Sequence, residues 1–431
     1  MHRPRLALAG HLTLGLPVTS WVRARGRITL VGRCIAVGSV TAALLVACSS
    51  GDAQPVSVTS QEMSNTAPGA GSTASSPAGP DAPARATSHH TVDPNLGAKV
   101  DAFFAADSLG RYRNRRAVVI TVDGQLAVAR YANSTAADTW DIQTVGGAVT
   151  ATLIGIAVDQ GKLRSLAQTL PDLLPQYSPA MTDDVKGIAL GDVLTQTVSL
   201  PGDDVFYRRV WATSQDWVFR ILRDGPTYIS GFNDTSAAPD LLSAILTRAT
   251  GQNTLDYARA QLFNPLGIST TPADQAPLLP ANLPAYSSAR FAWPTDPQGH
   301  YLGVSQKLTA LDLAKLGQLW LQDGAWQGHQ LVSADFTARM HSPLQIVGAE
   351  NDGAPIGYGY GLYTATITGH QMYAATGLGG QLIEVVPDLG LVVAILSQSP
   401  VNPLDPIAPG TTDTGSDYDT FISNIIEPAI H

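Results

Sequence analysis

Hydrophobic and polar positions follow two rhythms along residues 96–431, and these predict strands at both ends with helices between them. Residues 117–122 and 125–131 alternate around Asp123-Gly124, a dipeptide typical of two-residue β-hairpin turns. Further apolar runs predict strands at 373–375, 382–386 and 390–396. Helical spacing, ended in most cases by a glycine, predicts helices at 96–104, 148–160, 241–250 and 308–322.

This order of elements indicates an α/β fold of the α+β type. We expect one antiparallel sheet built from the N- and C-terminal segments, with a helical region inserted between them. No internal repeat is found, and no break in the pattern divides residues 96–431 into separate domains.

Composition narrows the function classes. Of the 431 residues, 44% are hydrophobic and 14% charged, so a large core can form. The net charge is −9, and residues 1–47 contain six arginines but no acidic residue, which leaves −15 for the rest of the chain. This balance argues against a nucleic-acid partner. Two cysteines cannot build a disulfide scaffold or a Cys-rich zinc site, and the nine histidines lack metal-ligand spacing, so we expect neither metal nor cofactor.

The N-terminal segment has the features of an export signal. Basic residues precede an apolar run of about 14 residues, which is shorter than the roughly 20 residues of a membrane-spanning helix. The run ends in Leu45-Val46-Ala47-Cys48, which resembles a bacterial lipobox. This resemblance implies that residues 1–47 are a lipoprotein signal peptide and that Cys48 carries a lipid, although an ordinary signal peptide remains an alternative.

Residues 48–95 are rich in Ser, Thr, Ala, Pro and Gly, and such a composition cannot bury enough apolar surface to fold. The sequence therefore predicts a flexible tether between a membrane anchor and a folded domain at 96–431. The expected location is the outer face of a bacterial cell membrane.

Several stretches resemble a known family. Thr144-Val145-Gly146-Gly147 and the residues up to Ala157 are similar to the nucleophile helix of the serine β-lactamase and penicillin-binding superfamily. The closer branch looks like class C β-lactamases and 6-aminohexanoate-dimer hydrolases. Further similar stretches follow in the same order at 240–251, 262–268, 309–319, 358–360 and 379–388. The resemblance implies a β-lactamase/transpeptidase-like fold: an antiparallel sheet flanked by helices plus an all-helical lobe, with the active site between them.

The family's first motif is Ser-x-x-Lys at a helix N-terminus. The Lys lies one turn beyond the Ser and can accept its proton. An ungapped comparison places Thr144 at the Ser position and Gly147 at the Lys position, so the hydroxyl is kept and the base is lost. None of the five lysines of the chain follows a serine by three residues, so the motif occurs nowhere else.

The second motif, Tyr-x-Asn on a loop of the helical lobe, falls on Asp234 and Ser236 by ungapped counting. Tyr228-Ile229-Ser230 is a gapped alternative, whereas Tyr131-Ala132-Asn133 matches literally but lies at a strand end, before the nucleophile helix. The third motif, Lys-Thr-Gly or His-x-Gly on a strand, is interpreted as Leu378 in the polar position with Gly379 after it. The glycines there still allow a ligand to approach the backbone closely.

The differences between this sequence and the three family motifs lead to three hypotheses about function. The first is a lipid-anchored envelope protein without catalysis, which binds a small molecule, a peptidoglycan fragment or a protein partner. The second is a divergent amide or ester hydrolase with Thr144 as nucleophile and Asp234 as base. The third is a purely structural role. An open cleft lined by aromatic residues such as Trp211, Trp217, Tyr358 or Tyr360 would favour ligand binding, and a filled cleft would favour the third hypothesis.

Overall fold

The structure is a computed structural model that describes residues 89–108, 110–198, 200, 214–224, 231–274, 276–350, 354–398 and 418–431. The predicted signal peptide and lipidation site Cys48 lie outside these residues. So do nearly all of the predicted tether, Trp211 and the alternative motif Tyr228-Ile229-Ser230.

Strands dominate the two ends of the described chain. They are β1 (Arg115–Val122), β2 (Gln125–Tyr131), β3 (Trp140–Asp141), β4 (Ala273–Asp274), β5 (Phe291–Ala292), β6 (Lys307–Leu308), β7 (Ala325–Trp326), β8 (His329–Gln330), β9 (Gln345–Ala349), β10 (Pro355–Tyr358), β11 (Tyr363–Ile367), β12 (His370–Gly377), β13 (Gln381–Val386) and β14 (Leu391–Ser397).

Eight of these strands form one sheet, in the order β2-β1-β14-β13-β12-β11-β10-β9, and every neighbouring pair is antiparallel. The pairing of β1 with β14 joins the two ends of the domain, which confirms the predicted sheet. The hairpin between β1 and β2 turns at Asp123 and Gly124, whose φ angles of 48° and 76° suit the predicted tight turn.

Helices fill the region between the strands. They are α1 (Leu96–Ala105), α2 (Val145–Asp159), α3 (Leu170–Leu173), α4 (Asp183–Lys186), α5 (Leu190–Leu194), α6 (Trp217–Arg223), α7 (Ala237–Thr250), α8 (Thr254–Ala258), α9 (Leu283–Ser288), α10 (Ala310–Leu321), α11 (Ala334–Met340) and α12 (Asp419–Phe421). Short 3₁₀ turns occur at Pro175–Ala180, Pro280–Asn282, Pro387–Leu389 and Glu427–Ala429, and π-helical turns at Arg259–Phe263 and Ile422–Ile426.

Two predicted helix starts differ from the structure. Helix α2 begins three residues before the predicted position 148, because tertiary packing overrides the poor helix propensity of its two early glycines. Helix α10 begins at Ala310 rather than at 308. Thr309 caps it, because its hydroxyl accepts a hydrogen bond from the backbone N–H of Asp312. In return, the Asp312 carboxylate accepts a hydrogen bond from the backbone N–H of Thr309.

The sheet is covered on both faces. Helix α10 packs against β1, β13 and β14, and Gly317 allows this approach because a Cβ there would lie 2.5 Å from a methyl group of Val392. Helix α1 and the C-terminal helical turns cover the other face, with aromatic contacts such as Phe104 to Phe421 at 4.8 Å between ring centroids. This double cover explains why every residue of β13 and β14 is buried and why most of them are apolar, with Gln381, Glu384 and Ser397 as the polar exceptions.

The two ends of the domain meet. Val92 pairs with Ile430, and Thr91 and His431 exchange backbone hydrogen bonds, so ordered pairing begins before residue 96. In the part of the chain that the structure describes, no helix combines the length and apolar character needed to cross a membrane.

Candidate functional site

The residue at the nucleophile position, Thr144, immediately precedes helix α2. Every residue of this helix from Val145 to Ala157 is buried, as expected for a helix that is apolar on all sides. Gln143, just before Thr144, has a φ of 52°, a conformation that costs a non-glycine residue about 1–3 kcal/mol. Two hydrogen bonds to the Asp141 carboxylate, from the Gln143 backbone N–H at 2.8 Å and from its side-chain amide at 2.7 Å, hold this conformation.

The Thr144 hydroxyl is half-buried and donates a hydrogen bond to the backbone carbonyl of Thr376 on β12, at 2.9 Å. A nucleophilic hydroxyl must give its proton to a base, and a peptide carbonyl is not one. The described hydrogen-bond partner of Thr144 therefore does not activate its hydroxyl.

The expected Lys position, Gly147, has no side chain and is closely packed on one side. A Cβ on Gly147 would lie 3.1 Å from Cγ of Pro239 at the start of α7, so the proline ring occupies the side-chain space next to it. Gly146 is packed more tightly still, since a Cβ there would lie 1.9 Å from the Gln306 side chain and 2.9 Å from Cα of Val304. The N-terminal turn of α2 thus fits glycine at both positions.

No lysine replaces the missing base among the described residues that line the cleft. Lys307 on β6 is buried, and its ammonium group donates to the carbonyls of Tyr286, Ser287 and Ala289 at 3.2, 2.7 and 2.7 Å. Burial lowers the pKa of Lys307, but its three partners commit it to a structural role.

Asp234, which ungapped counting assigns to the motif tyrosine, lines the same cleft as Thr144. Its carboxylate accepts hydrogen bonds from the Tyr363 hydroxyl at 2.7 Å and from the Gln196 amide at 3.1 Å. The same amide donates to the Tyr358 hydroxyl at 2.8 Å, and the Gln196 carbonyl oxygen accepts from the Thr235 backbone at 2.7 Å. We refer to Gln196, Asp234, Tyr358 and Tyr363 as the cleft cluster.

The ionisation of the cleft cluster follows from its surroundings. Asp234 is exposed at the mouth of the cleft, yet the surrounding protein displaces enough water to raise its pKa, against the opposing effect of the hydrogen bonds from Tyr363 and Gln196. Burial, and then the charge of Asp234, also raise the pKa of both Tyr358 and Tyr363, so the two phenols stay neutral.

Three other predicted site residues do not line the cleft. Ser236 immediately precedes helix α7, and Leu378 and Gly379 lie in the turn after β12. The strand itself carries Ala375-Thr376-Gly377, so the Lys-Thr-Gly motif fits these residues better, with Ala375 in place of the Lys. Gly377 permits close packing, because a Cβ there would lie 2.7 Å from the carbonyl oxygen of Ile142.

The described cleft is narrow. Its volume is about 20 Å³, which is room for about one water molecule. Tyr358 lines it, as the sequence suggested, whereas Tyr360 instead packs on Phe336 with ring centroids 5.3 Å apart. Pro239, Gln196, Tyr363 and Thr376 were not identified from the sequence, and only their position in the fold reveals them.

A second polar cluster, the histidine cluster, lies in the helical region and consists of Tyr177, Asp216, Asp296 and His300. The His300 ring contacts Asp296 at 2.9 Å through Nδ1 and the Tyr177 hydroxyl at 3.3 Å through Nε2, and Tyr177 donates to Asp216 at 3.1 Å. Tyr177 has a single hydroxyl proton, so all three bonds form only when both ring nitrogens of His300 carry protons.

The electrostatics of the histidine cluster agree with a charged imidazolium. Burial on its own would lower the pKa of His300, but the hydrogen bond and charge of Asp296 and the charge of Asp216 raise it. The ligand-type atoms of the two acids and the histidine lie within 4.8 Å of one another, a spacing that would suit a metal ion. Hydrogen bonds already engage these atoms, however, so the cluster is explained by a bound proton.

The antiparallel sheet, the buried helix behind Thr144 and the cleft beside it define the fold of the β-lactamase class of serine hydrolases. The sequence model of the Beta-lactamase family matches residues 108–411, and the chain belongs to that family.

Solved structures agree on the fold. A D-stereospecific amidohydrolase from Streptomyces sp. is 14% identical with a TM-score of 0.55, over 76% of this chain and 96% of its own. A protein described as a 6-aminohexanoate-dimer hydrolase from Bacillus anthracis is 15% identical (TM-score 0.53; 75% and 83% covered). An octameric penicillin-binding protein homologue from Pyrococcus abyssi is 18% identical (TM-score 0.52; 70% and 73% covered). No curated protein matches the chain.

Proposed function

We propose that this chain is a lipid-anchored cell-envelope protein that has kept the β-lactamase fold, has lost acyl transfer, and acts by binding a ligand or partner. The observation that carries the proposal is the absence of a lysine from the described residues that line the cleft, where Gly147 stands at the expected Lys position with the Pro239 ring 3.1 Å from the place of its Cβ. Loss of a general base typically lowers a rate by about 10²–10⁴-fold. The bond from Thr144 to the Thr376 carbonyl supports the same conclusion.

The test uses the purified full-length chain beside Thr144→Ala and Thr144→Ser variants. Each is incubated with a fluorescent penicillin and with an activated ester, and intact mass and turnover are recorded. We expect no adduct and equal background turnover in all three proteins, because replacing Thr by Ser supplies a better nucleophile but no base. An adduct on the unmodified chain that Thr144→Ala abolishes would overturn the proposal.

One observation favours a second candidate, a divergent amide or ester hydrolase. Asp234 shares the cleft with Thr144, and its raised pKa is a property of general bases. Both groups are hydrogen-bonded to other partners, however, which weighs against proton transfer between them. In the same assay this candidate requires turnover that both Thr144→Ala and Asp234→Asn remove.

The anchoring part of the proposal depends on Leu45-Val46-Ala47-Cys48 and the tether-like composition that follows. It is tested in a bacterial host by fractionation and by mass spectrometry of the N-terminal peptide. We expect a diacylglyceryl adduct on Cys48 and recovery in the membrane fraction, and we expect Cys48→Ala to release the protein. An unmodified Cys48 would exclude the anchor and leave the binding role unaffected.

A further inference from the structure

The cleft differs from the family motifs in the sign of its charge. The motif positions that would supply a lysine are occupied by Gly147 and Ala375, neither of which carries a cation. Of the described residues that line the cleft, Asp234 is the one with a carboxyl group, none is a lysine, arginine or histidine, and both tyrosines stay neutral. Among the described lining residues, an anionic ligand would therefore meet the Asp234 carboxylate and no positively charged side chain.

Hydrogen bonds from neutral groups hold the Asp234 carboxylate in place. Tyr363 and Gln196 bind its two oxygens, and both are uncharged donors. Phe232 packs against the rings of Tyr358 and Tyr363, with centroids 4.7 and 6.0 Å apart, and so supports the aromatic side of the cluster. An anion held among neutral groups and aromatic rings favours a cation as its ligand.

The size of the cleft selects the type of cation. A space of about 20 Å³ accepts a group about as large as a water molecule. A primary ammonium head has this size and three N–H donors, and the residues that line the space include three with oxygen acceptors, namely Asp234, Thr144 and Thr376. A quaternary ammonium group is too large and has no N–H to donate.

We propose that the cleft binds the primary ammonium group of a small amine or peptide, with Asp234 as its counter-ion and the rest of the ligand leaving through the mouth of the cleft. This inference deepens the proposed binding function and rests on it. It assigns Asp234, which stands where the family has a tyrosine, to ligand recognition rather than to proton transfer.

The test is calorimetric titration of the full-length chain with propylammonium chloride, against tetramethylammonium chloride and sodium propionate at equal ionic strength. We expect saturable, weak binding of propylammonium alone. Asp234→Asn keeps the shape of the side chain and removes its charge, and it should weaken binding by about tenfold or more. The matched control is Asp335→Asn, an exposed acid in the first turn of α11, which should leave the affinity unchanged.

Three results would overturn the inference: no saturable binding of propylammonium, equal affinity in Asp234→Asn, or tighter binding of propionate. Failure of the proposed function gives a different signature, namely a covalent adduct on Thr144 in the mass assay. A negative amine titration therefore contradicts the ammonium inference alone, whereas an adduct in the mass assay contradicts the proposed function.

Discussion

The histidine cluster and the cleft cluster each combine carboxylate, tyrosine and amide or imidazole groups, but they balance charge differently. In the histidine cluster the cation is part of the protein, because His300 lies against Asp296 at 2.9 Å and within 3.9 Å of Asp216. In the cleft cluster the partners of the Asp234 carboxylate among the described residues are the neutral donors Tyr363 and Gln196.

The carboxylates of Asp296 and Asp234 also differ in burial. Asp296 is completely buried and accepts hydrogen bonds from the backbone N–H groups of Trp217, Gln298 and His300, so its charge is satisfied inside the protein. Asp234 is exposed to the cleft. A closed, balanced network stabilises a fold, whereas an unbalanced charge at a cleft is suited to an external partner. We therefore expect mutations in the histidine cluster to lower the stability of the fold, and the mutation of Asp234 in the cleft cluster to leave stability nearly unchanged.

The largest effect is expected for Asp296→Ala. The change removes the acceptor of three backbone N–H groups and leaves the His300 imidazolium beside Asp216 alone. We expect a loss of about 3–5 kcal/mol in the free energy of unfolding, measured by urea denaturation. Asp335→Ala, at an exposed position, should change it by less than about 0.5 kcal/mol. Equal effects of the two variants would show that the histidine cluster is not structural.

A smaller effect, with a defined pH dependence, is expected for His300→Gln. The pKa of His300 is raised in the folded state, so its stabilising contribution is complete below the unfolded-state value of about 6.5 and is lost as pH rises through the folded value. Tyr177, Asp216 and Asp296 are the titratable groups that face the ring. At pH below about 6 the variant should be less stable by about 1.5–3 kcal/mol, the range for hydrogen bonds to charged groups.

The measurement is the difference in unfolding free energy between the unmodified chain and His300→Gln from pH 5 to pH 9 (about the stable range of most proteins). Carboxyl groups with raised pKa values, such as Asp240 and Glu384, titrate in both proteins and cancel in the difference. The difference should shrink as pH rises. A difference that grows with pH would mean that His300 is neutral in the folded protein.

The sequence predicts a feature of this protein well when neighbouring residues determine it, and poorly when contacts between residues far apart in the chain determine it. The β1–β2 hairpin and the α7 terminus at Gly251 follow from neighbouring residues and were predicted closely. The short strands β9 to β11 carry no strong alternation and were not predicted. Helix α2 starts early because of contacts with residues 239 and 304–306, which local pattern cannot reveal.

The candidate site shows the same limit. That the chain has no Ser-x-x-Lys motif is visible in the sequence, but the packing of Pro239 close to Gly147 is a contact between residues far apart in the chain. The sequence predicted the third motif at Leu378 and Gly379, whereas the structure has Thr376 in the cleft. The cause is the run of glycines in this turn, which allows the motif to be aligned in more than one register. Gln196 and Tyr363 have no local signal, because their role arises only when sheet and helical region meet.

The smallest expected effect is that of Asp234→Asn on stability, and it decides the comparison. The folded-state pKa of Asp234 is raised, so any stabilising contribution from its titration is present below the unfolded-state value of about 3.9 and is lost at higher pH. Ionisation of Asp234 therefore adds no stability to the folded state, and asparagine can still accept the Tyr363 hydrogen bond. Gln196 keeps its bond to Tyr358. We expect a change within about 0.5 kcal/mol in urea denaturation. A loss of several kcal/mol would make the cleft cluster a structural network like the histidine cluster, and Asp234 would then be unavailable to an ammonium ligand.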